Sequence, residues 1–444
     1  MEKHLQYRDF GKFPVYREFV DSGTFFTLKE TVEEFFNCSI EIYPHPSSQV
    51  EKKHSINILE NPRRGFYPID DDNVLIIGRV LDRRILISAF GFLLTAKNIS
   101  KNIKLLNVFE GALTGTLTYE FFNRFQNGLL AFGDELIKHT ITNYIAKGYY
   151  NFRNVRHLME YFLKLRTTSF EGEYFSTGVL LSKAIHDYIN NNQRFVDVFE
   201  LENWIRLRNT NKIAKRVWYL ADGKKTFFLS SKNLDILHFI ALDNDYINKN
   251  YLDTHTLAAT LKGGDTLFKI ENEKLFSINT SSGFEFLFFE NQWKYRNYNY
   301  LKEILRETIS SDDELIDSII FYIFNCSKKQ ISSIIWFPSQ IDLIDDLIQI
   351  KTKNIFTKKS LNIKNKNFIN HIMRCFSSDG ATIIDSHGDI KFLGVIADIS
   401  KIKINGLKGT GESAAAVLGS NGVSIKISQD GSIKIFNKDY NLIF

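Results

Sequence analysis

The spacing of apolar residues changes along the chain, and each change predicts a different kind of element. In DELIKHTITNYIAKG (134–148) and FRNVRHLMEYFLKLR (152–166), apolar residues recur every three or four positions with charges between them, which predicts two amphipathic helices. Between Gly263 and Tyr295 the spacing becomes two, and Asn-Glu, Ser-Ser-Gly and Glu-Asn separate the runs. This pattern predicts a small antiparallel meander. The Ala-Asp-Gly turn inside VWYLADGKKTFFL (217–229) predicts a separate hairpin.

The last third of the chain alternates helix-like and strand-like runs in the order typical of an α/β domain. The predicted helices are 300–306, 313–324, 367–376 and the Ala-rich GESAAAVLG at 411–419. A buried strand is predicted at SSIIWFP (332–338), and hairpins at ATIIDSHGDIKFLGVI (381–396) and VSIKISQDGSIKIF (423–436).

These patterns predict a chain of several domains, since 444 residues exceed one typical core. VLIIGRV and RRILISAF read as strands and lie in a first, small α/β region. A mostly helical region follows, for which a sensor role is the hypothesis, then the meander, then the α/β domain. The predicted boundaries are 1–104, 105–255, 256–298 and 299–444.

Composition narrows the class of protein. Hydrophobic residues make up 44% and charged residues 24%, as in ordinary globular proteins. The sequence holds no apolar run of the roughly 18 to 20 residues that cross a bilayer, and no apolar stretch of the signal-peptide type at its start. We therefore expect a cytoplasmic protein with no membrane partner. The three cysteines show neither disulfide nor zinc spacing.

Positive charge is concentrated towards the C-terminus. Residues 351–444 carry 14 Lys plus Arg against 7 Asp plus Glu, a balance of +7 that leaves −2 for the first 350 residues. Six lysines and no acid lie within 351–366, where they could attract polyphosphates; a solvated surface loop is the alternative. Phe356 is the one aromatic residue in that run, so stacking on bases has little support and no nucleic-acid partner is expected.

Two segments of the α/β domain contain residues suited to chemistry. Asp379-Gly380-Ala381 joins a predicted helix to a strand: a carboxylate there can bind Mg²⁺ or Mn²⁺ and help deprotonate a hydroxyl, while small residues let a flat base approach the backbone. An ordinary turn is the alternative. The second segment opens the Ala-rich helix with glycines, hydroxyls and a lysine, a composition suited to phosphate binding or to plain N-capping. Its residues are Lys408, Gly409, Thr410, Gly411, Glu412 and Ser413.

The same segment also fits the spacing of a dinucleotide-binding motif. Gly409, Gly411 and Ala414 fit the loose GxGxxG/A spacing, and Asp430 lies near the usual acidic position. However, that fold needs further βα units after this turn, and only 33 residues follow Gly411. The motifs GxxxxGKS/T, HExxH and GxSxG do not occur.

Taken together, the order and spacing of these motifs resemble the diadenylate cyclase domain. The resemblance covers about 313–444 and rests on Asp379-Gly380-Ala381, the strand pair ending at Gly394, the Gly409-Thr410 turn and the strand ending at Ser428. It implies an α/β fold with a mixed twisted sheet flanked by helices. It also implies that two ATP molecules are condensed into cyclic di-AMP with Mg²⁺ or Mn²⁺, across a homodimer or a higher oligomer.

The resemblance also implies roles for individual residues. Asp379 would hold the metal and prime the 3′-hydroxyl of one ATP for attack on the α-phosphate of the other. The matching nucleotide-binding residues are Gly380, Ala381, Gly394, Lys408, Gly409, Thr410, Gly411, Glu412, Ser413 and Ser428.

One departure from the family pattern affects the phosphate site. Where the family has Arg-His-Arg after Gly-Thr, this chain has Gly411-Glu412-Ser413, and glutamate repels phosphate unless a cation intervenes. Lys408, Lys403, Lys401 and Arg374 are candidates to supply the positive charge that Arg-His-Arg provides in the family. Glu412 is itself a candidate metal ligand. The alternative to an active enzyme is a catalytically degenerate nucleotide-binding module, or a site for another nucleotide.

Overall fold

The computed structural model describes residues 23–43, 65–82, 85–116, 132–174, 176–207, 215–242, 260–350, 360–400, 409–438 and 442–443. The α-helices within these ranges are α1 Gly23–Phe36, α2 Ile103–Thr116, α3 Phe132–Ala146, α4 Phe152–Arg166, α5 Ile185–Asn192, α6 Lys215–Trp218, α7 Tyr298–Thr308, α8 Asp313–Lys328, α9 Ile369–Phe376 and α10 Thr410–Gly419.

The β-strands form two large sheets, one of four strands and one pair. They are β1 Ser39–Tyr43, β2 Phe66–Pro68, β3 Asn73–Asp82, β4 Ile85–Thr95, β5 Ser169–Phe170, β6 Glu173–Tyr174, β7 Thr177–Ser182, β8 Val196–Arg206, β9 Thr226–Ser231, β10 Asp235–Leu242, β11 Thr266–Ile270, β12 Leu275–Thr280, β13 Phe284–Phe289, β14 Gln292–Asn297, β15 Ser333–Phe337, β16 Ile348–Ile350, β17 Ala381–Ile384, β18 Ile390–Ala397, β19 Val423–Ile427, β20 Ile433–Phe436 and β21 Leu442–Ile443.

The chain divides into two compact units. Unit 1 comprises residues 1–241 and 261–296, and unit 2 comprises residues 242–260 and 297–444. The four predicted regions, bounded at 104, 255 and 298, stay predictions.

Unit 1 contains the four-stranded sheet β1-β4-β3-β2 and the eight-stranded sheet β14-β13-β12-β11-β7-β9-β10-β8. The predicted meander is confirmed as β11 to β14, and its last turn uses the left-handed residues Glu290 and Asn291. Helices α3 and α4 confirm the two amphipathic patterns. Aromatic side chains from α4, β11 and β12 meet in the core, where the ring of Phe162 lies tilted against those of Phe268 and Phe276.

Two expectations for the middle of the chain were wrong. The stretch 177–242 contains the buried strands β7 and β9 as well as short helices, so it is not largely helical. The predicted hairpin at 217–229 is also absent: its first two residues end α6, and the buried Trp218 there donates a hydrogen bond from Nε1 to the hydroxyl of Tyr161 at 2.9 Å. Asp222 accepts backbone hydrogen bonds from Lys224 and Lys225 and thereby starts β9.

Unit 2 is built on a seven-stranded mixed sheet in the order β16-β18-β17-β15-β19-β20-β21. The central strand β15 pairs in parallel with β17 and antiparallel with β19. The predicted hairpins are confirmed as β17–β18 and β19–β20.

Helices cover both faces of this sheet. Alternate residues of β15 point to opposite sides, so Ile335 packs in one apolar cluster with α7, α8 and α9, whereas Ile334 packs in a second cluster with α10. The Ala-rich sequence of α10 suits this position because small side chains such as Ala415 and Ala416 let the helix approach the strands closely.

The strand registers define one row of residues across five neighbouring strands on the α10 face. Val395 lies opposite Ala381, Ala381 beside Ile334, Ile334 beside Lys426, and Lys426 opposite Lys434. We call this set the basic row, after the two lysines at one end of it; the other three residues are apolar. It runs along the end of the sheet at which β15 and β17 begin.

Candidate functional site

Asp379 lies in the short turn between α9 and β17. The helix ends at Phe376, and the backbone amides of Ser377 and Ser378 then close its last turn, so Asp379 projects to the surface. Among the described residues its carboxylate accepts one hydrogen bond, from the backbone amide of Gly380 at 3.0 Å. An exposed carboxylate with this single partner retains lone pairs for a cation or a hydroxyl.

Gly380 and Gly394 come into backbone contact across the β17–β18 pair. Gly380 has φ +86°, and a side-chain carbon there would lie 2.7 Å from the carbonyl carbon of Gly394 and 2.8 Å from the carbonyl oxygen of Val395. Ala381, next along the chain, is buried in the cluster beneath α10. Glycine at 380 is therefore required by both conformation and space. Three of the predicted residues are thus brought together beside Asp379.

The N-terminus of α10 is formed by the predicted Gly-Thr turn. Gly409, with φ 99°, is the N-cap, and no side chain caps the first turn. The N-capping alternative for Thr410 and Ser413 is wrong: the Ser413 hydroxyl donates to the carbonyl of Gly409 at 3.2 Å rather than accepting from an amide. The backbone amides at this end thus present a partial positive charge suited to an anion.

Lys426 reaches this helix end from β19. Its Cε and Nζ atoms lie 3.1 and 3.4 Å from the position that a side-chain carbon at Gly411 would occupy. The ammonium donates to the hydroxyl of Ser332 at 2.6 Å, and the residue is only 8% exposed. Burial lowers the pKa of Lys426, and the negative charges of Glu412 and Asp430 oppose that shift. Glycine at 411 therefore leaves room for a buried ammonium group at the helix N-terminus.

Glu412 is compensated by a second lysine of the sheet. Its Oε1 lies 2.6 Å from Nζ of Lys434, and the Glu412 side chain is mostly buried. Since Lys434 stands opposite Lys426 on β20, this glutamate lies close to two lysine side chains at the N-terminus of α10.

Ser428 lies at the turn between β19 and β20, two residues after Lys426. Its amide donates to the carbonyl of Ser432 at 2.9 Å, and its own carbonyl accepts from Gly431 at 2.9 Å. Asp430 accepts from both the amide and the hydroxyl of Ser432, which fixes the turn. Ser428 is therefore at the same end of the sheet as the basic row.

The basic row joins these pieces into one place. Ala381, which follows Asp379 and Gly380, is two strands from Lys426, so their Cα atoms are separated by about 10 Å. Lys408 lies outside the described residues, as do Lys401 and Lys403.

Residue-by-residue reading of the sequence missed Lys426, Lys434 and Ser332. The sequence does show that these lysines share one face of the hairpin, since VSIKI and IKIF alternate isoleucine with lysine and the isoleucines lie on the other, buried face. In an isolated hairpin that pattern indicates that the lysines face solvent. Helix α10 packs over the opposite face, which carries the lysines, and this packing buries Lys426.

Within the described ranges, no three His, Cys, Asp or Glu side chains converge as a metal site would require. Nor does any helix in those ranges combine the length and the apolar character needed to cross a bilayer.

No protein-family model and no curated protein matches this chain. Solved structures give local likenesses. One is a hypothetical membrane-spanning protein from Bacillus cereus, with 16% identity, covering 33% of this chain and 70% of that chain at a TM-score of 0.27. Another is a double-mutant form of DacA, a diadenylate cyclase, from Staphylococcus aureus, with 16% identity, covering 30% of this chain and 87% of that chain at a TM-score of 0.22. Both likenesses are weak and assign neither fold nor activity to this chain.

Proposed function

We propose that unit 2 is a nucleotidyltransferase that condenses two ATP molecules into cyclic di-AMP or a related cyclic dinucleotide. The observation that carries this proposal is the gathering, at one end of one sheet, of an exposed carboxylate at Asp379, an α10 N-terminus without a side-chain cap, and the buried ammonium of Lys426. In this proposal the carboxylate acts on the 3′-hydroxyl of one ATP, and the helix N-terminus and the ammonium group bind the phosphates.

The polyphosphate would bind at the α10 N-terminus. Backbone amides from Thr410 onward offer donors, Lys426 adds a charge in a poorly solvated position, and Lys434 offsets Glu412. Charge-assisted hydrogen bonds in such a position are stronger than those on an open surface. The lysines of the sheet thereby take the place of the missing Arg-His-Arg.

Asp379 fits a Mg²⁺ or Mn²⁺ ion of the kind that nucleotide enzymes use. Such ions are commonly held by one or two carboxylates together with waters and substrate phosphates, and one exposed carboxylate meets that need. When bound, the ion would supply charge neutralisation for the phosphates and would favour ionisation of a hydroxyl. Glu412, engaged with Lys434, is the less suitable ligand.

The reaction consists of two successive nucleophilic substitutions at phosphorus. The carboxylate of Asp379 orients the 3′-hydroxyl of one ATP and accepts its proton for transfer to water, and the 3′-oxygen bonds to the α-phosphorus of the other ATP. The bond from that phosphorus to the bridging oxygen of the β-phosphate breaks, and the electron pair leaves with pyrophosphate. Two such steps convert two ATP into one cyclic dinucleotide and two pyrophosphates.

Two ATP molecules must face each other for this chemistry, and the described part of unit 2 offers one such site. We therefore propose a homodimer or a higher oligomer in which two copies of unit 2 meet, since positioning both reactants accounts for much of the rate. A cytoplasmic location, where ATP is abundant, and a regulatory role for residues 1–298 belong to the same proposal.

The second candidate is a nucleotide-binding module without catalysis. It is favoured by one observation: Glu412 occupies the position of a family cation and binds Lys434, which removes charge from the phosphate site. Such a module would bind nucleotide and release no pyrophosphate.

The deciding experiment is mass spectrometry of the full chain incubated with each of the four NTPs and Mg²⁺ or Mn²⁺. We expect a cyclic dinucleotide that is lost, by at least ~100-fold in rate, in Asp379→Asn. Asp346→Asn is the matched control, because Asp346 is an exposed carboxylate of unit 2 outside the site. ATP binding without any product in the wild type would select the binding module, and product formation by Asp379→Asn would refute the assigned role.

A further inference from the structure

Strand β8 forms one edge of the eight-stranded sheet in unit 1. It spans 11 residues, Val196–Arg206, and pairs on one side with β10. Most of its residues are exposed or half-buried along the whole length. Among the described strands none pairs with its other side, so this side presents backbone donors and acceptors to the surroundings.

The two faces of β8 differ in character. On the core side Leu201 and Ile205 pack against the apolar cluster of unit 1, and Phe199 contacts Phe239 with ring centroids 6.1 Å apart. Phe199 nevertheless remains 53% exposed.

The outer face carries Glu200, Glu202, Trp204 and Arg206, all exposed, and Trp204 is 64% exposed. Natural edge strands are usually short or interrupted by lysine or proline, and β8 has neither residue. A long edge that exposes an aromatic ring on each face is suited to adding another strand.

The charges along β8 favour a second copy of β8 as the strand that pairs with this edge. Two copies of one strand that pair antiparallel about a two-fold axis must be centred on a single residue, because opposed side chains share a face. Centres at Glu200, Leu201 or Glu202 oppose glutamate with glutamate. A centre at Asn203 instead opposes Glu200 with Arg206 twice, and Leu201 with Ile205 twice.

A centre at Trp204 also opposes unlike charges, Glu202 with Arg206. It aligns only residues 202–206 of β8, however, whereas the centre at Asn203 aligns residues 200–206. The longer pairing buries more apolar surface and satisfies more backbone groups.

We propose that β8 pairs with β8 of a second copy of this chain, antiparallel and centred on Asn203, so that the two eight-stranded sheets join into one. The pairing stands on unit 1 alone and is independent of the chemistry proposed for unit 2. In it, Trp204 of each copy lies opposite Glu202 of the other, and the two indole rings are diagonal neighbours.

Cysteine cross-linking of the full chain tests the geometry directly. In Asn203→Cys the two new thiols would face each other with Cα atoms about 5 Å apart, so mild oxidation should join them directly into a disulfide-linked dimer. In the control Glu202→Cys the two thiols would be diagonal neighbours with Cα atoms about 7 to 8 Å apart, too far for a disulfide, and the yield should be several-fold lower. Mass spectrometry of the linked peptide separates this product from any made by the native cysteines, of which Cys326 is buried and Cys38 and Cys375 are half-buried.

A charge-swap series tests the register in solution by analytical ultracentrifugation. Glu200→Arg and Arg206→Glu should each raise the dissociation constant of this dimer by about 10-fold, since each creates two like-charge contacts, and the double variant should restore it. Unchanged association in both single variants, together with no Asn203→Cys product, would overturn the proposal. Restoration by Glu202→Arg/Arg206→Glu instead would overturn the register.

Because the exchanged residues are exposed, the variants should keep their fold, which circular dichroism verifies. If association persists through unit 2 alone, the cross-link is absent while the sedimentation still shows a dimer, and the β8 pairing is refuted. Protection of the β8 amides only when a strand from another protein is added would assign the edge to that partner and would likewise refute self-pairing.

Discussion

Two buried lysines, one in each unit, are handled in opposite ways. Lys269 on β11 is 2% exposed, and its Nζ lies 3.4 Å from Oε1 of Glu271. Lys426 on β19 is 8% exposed, donates to the hydroxyl of Ser332, and has no carboxylate within ion-pair distance among the described residues. Burial of an ammonium group is unfavourable unless an anion compensates it. The first lysine has its counter-ion within the fold, whereas the second lies beside Gly411 at the N-terminus of α10.

The largest expected effect is on the stability of unit 1. Lys269→Met should lower its free energy of unfolding by about 3 kcal/mol, because it breaks a largely buried ion pair with Glu271, whose side chain is only 17% exposed. Hydrogen exchange of peptides that span β11 and β12 measures this loss within unit 1.

Lys274→Met, at an exposed position in the turn between β11 and β12, is the control and should change stability by less than about 0.5 kcal/mol. An equal, small effect of both substitutions would show that the Lys269 pair is not structural, and the contrast between the two lysines would fail.

The second effect concerns ligand binding rather than stability. Lys426→Met should leave unit 2 as stable as before, or slightly more stable, because no carboxylate of the described residues lies within ion-pair distance of this ammonium group. The same change should weaken ATP binding by about 10-fold or more, since a poorly solvated charge-assisted contact is lost. Calorimetric titration and a denaturation curve measure the two quantities on one sample.

Lys438→Met, an exposed lysine just beyond β20, serves as the control for net charge. A marked destabilisation by Lys426→Met with unchanged ATP affinity would make Lys426 a structural residue like Lys269.

A smaller effect in the opposite direction is expected at Glu412. Glu412→Gln removes a negative charge from the phosphate position and releases Lys434 from its 2.6 Å ion pair. ATP should then bind about 3-fold more tightly. The same titration checks the value, and weaker binding would instead identify Glu412 as a ligand of the nucleotide or of its metal.

The smallest effect is a dependence on pH. Burial lowers the pKa of Lys426 in the folded protein, so its charge is lost at a lower pH than that of a lysine in the unfolded chain. The ATP affinity difference between wild type and Lys426→Met should therefore shrink as pH rises through the folded pKa.

The linked stability has the opposite trend. Below the folded pKa the protonated, desolvated lysine disfavours folding, and between the folded and unfolded pKa values the unfolded chain binds more protons, so wild-type stability rises with pH relative to Lys426→Met. Parallel curves for the two proteins across alkaline pH would contradict the assigned burial effect.

Local patterns along the sequence were sufficient for the elements whose periodicity is long and regular. The helices that became α3 and α4 and the meander β11 to β14 belong to this class. The hairpin at 217–229 was wrong because Trp218 is β-prone by type, yet its burial against Tyr161 and Phe162 favours a helical turn. Tertiary packing overrode local propensity there.

For the candidate site, the sequence indicated the turns and missed the cations. Asp379, Gly380 and Gly394 belong to short motifs that can be read locally, and the structure brings these residues together. Lys426 owes its character to α10, which is packed over it, and to Ser332 on the approach to β15. Neither neighbour is close to Lys426 in sequence, so periodicity alone could not reveal its burial.

The basic row has a consequence for how the protein acquires its site during folding. Ile334 is flanked by Ala381 on one side and Lys426 on the other, and both neighbours are distant in sequence. High contact order of this kind makes folding slow. During synthesis β15 cannot complete its pairing until the β19–β20 hairpin has been made. A chain that ended before β19 would still contain the Asp379 and Gly409 motifs. It would lack Lys426 and the strand β19, which lies beside the N-terminus of α10.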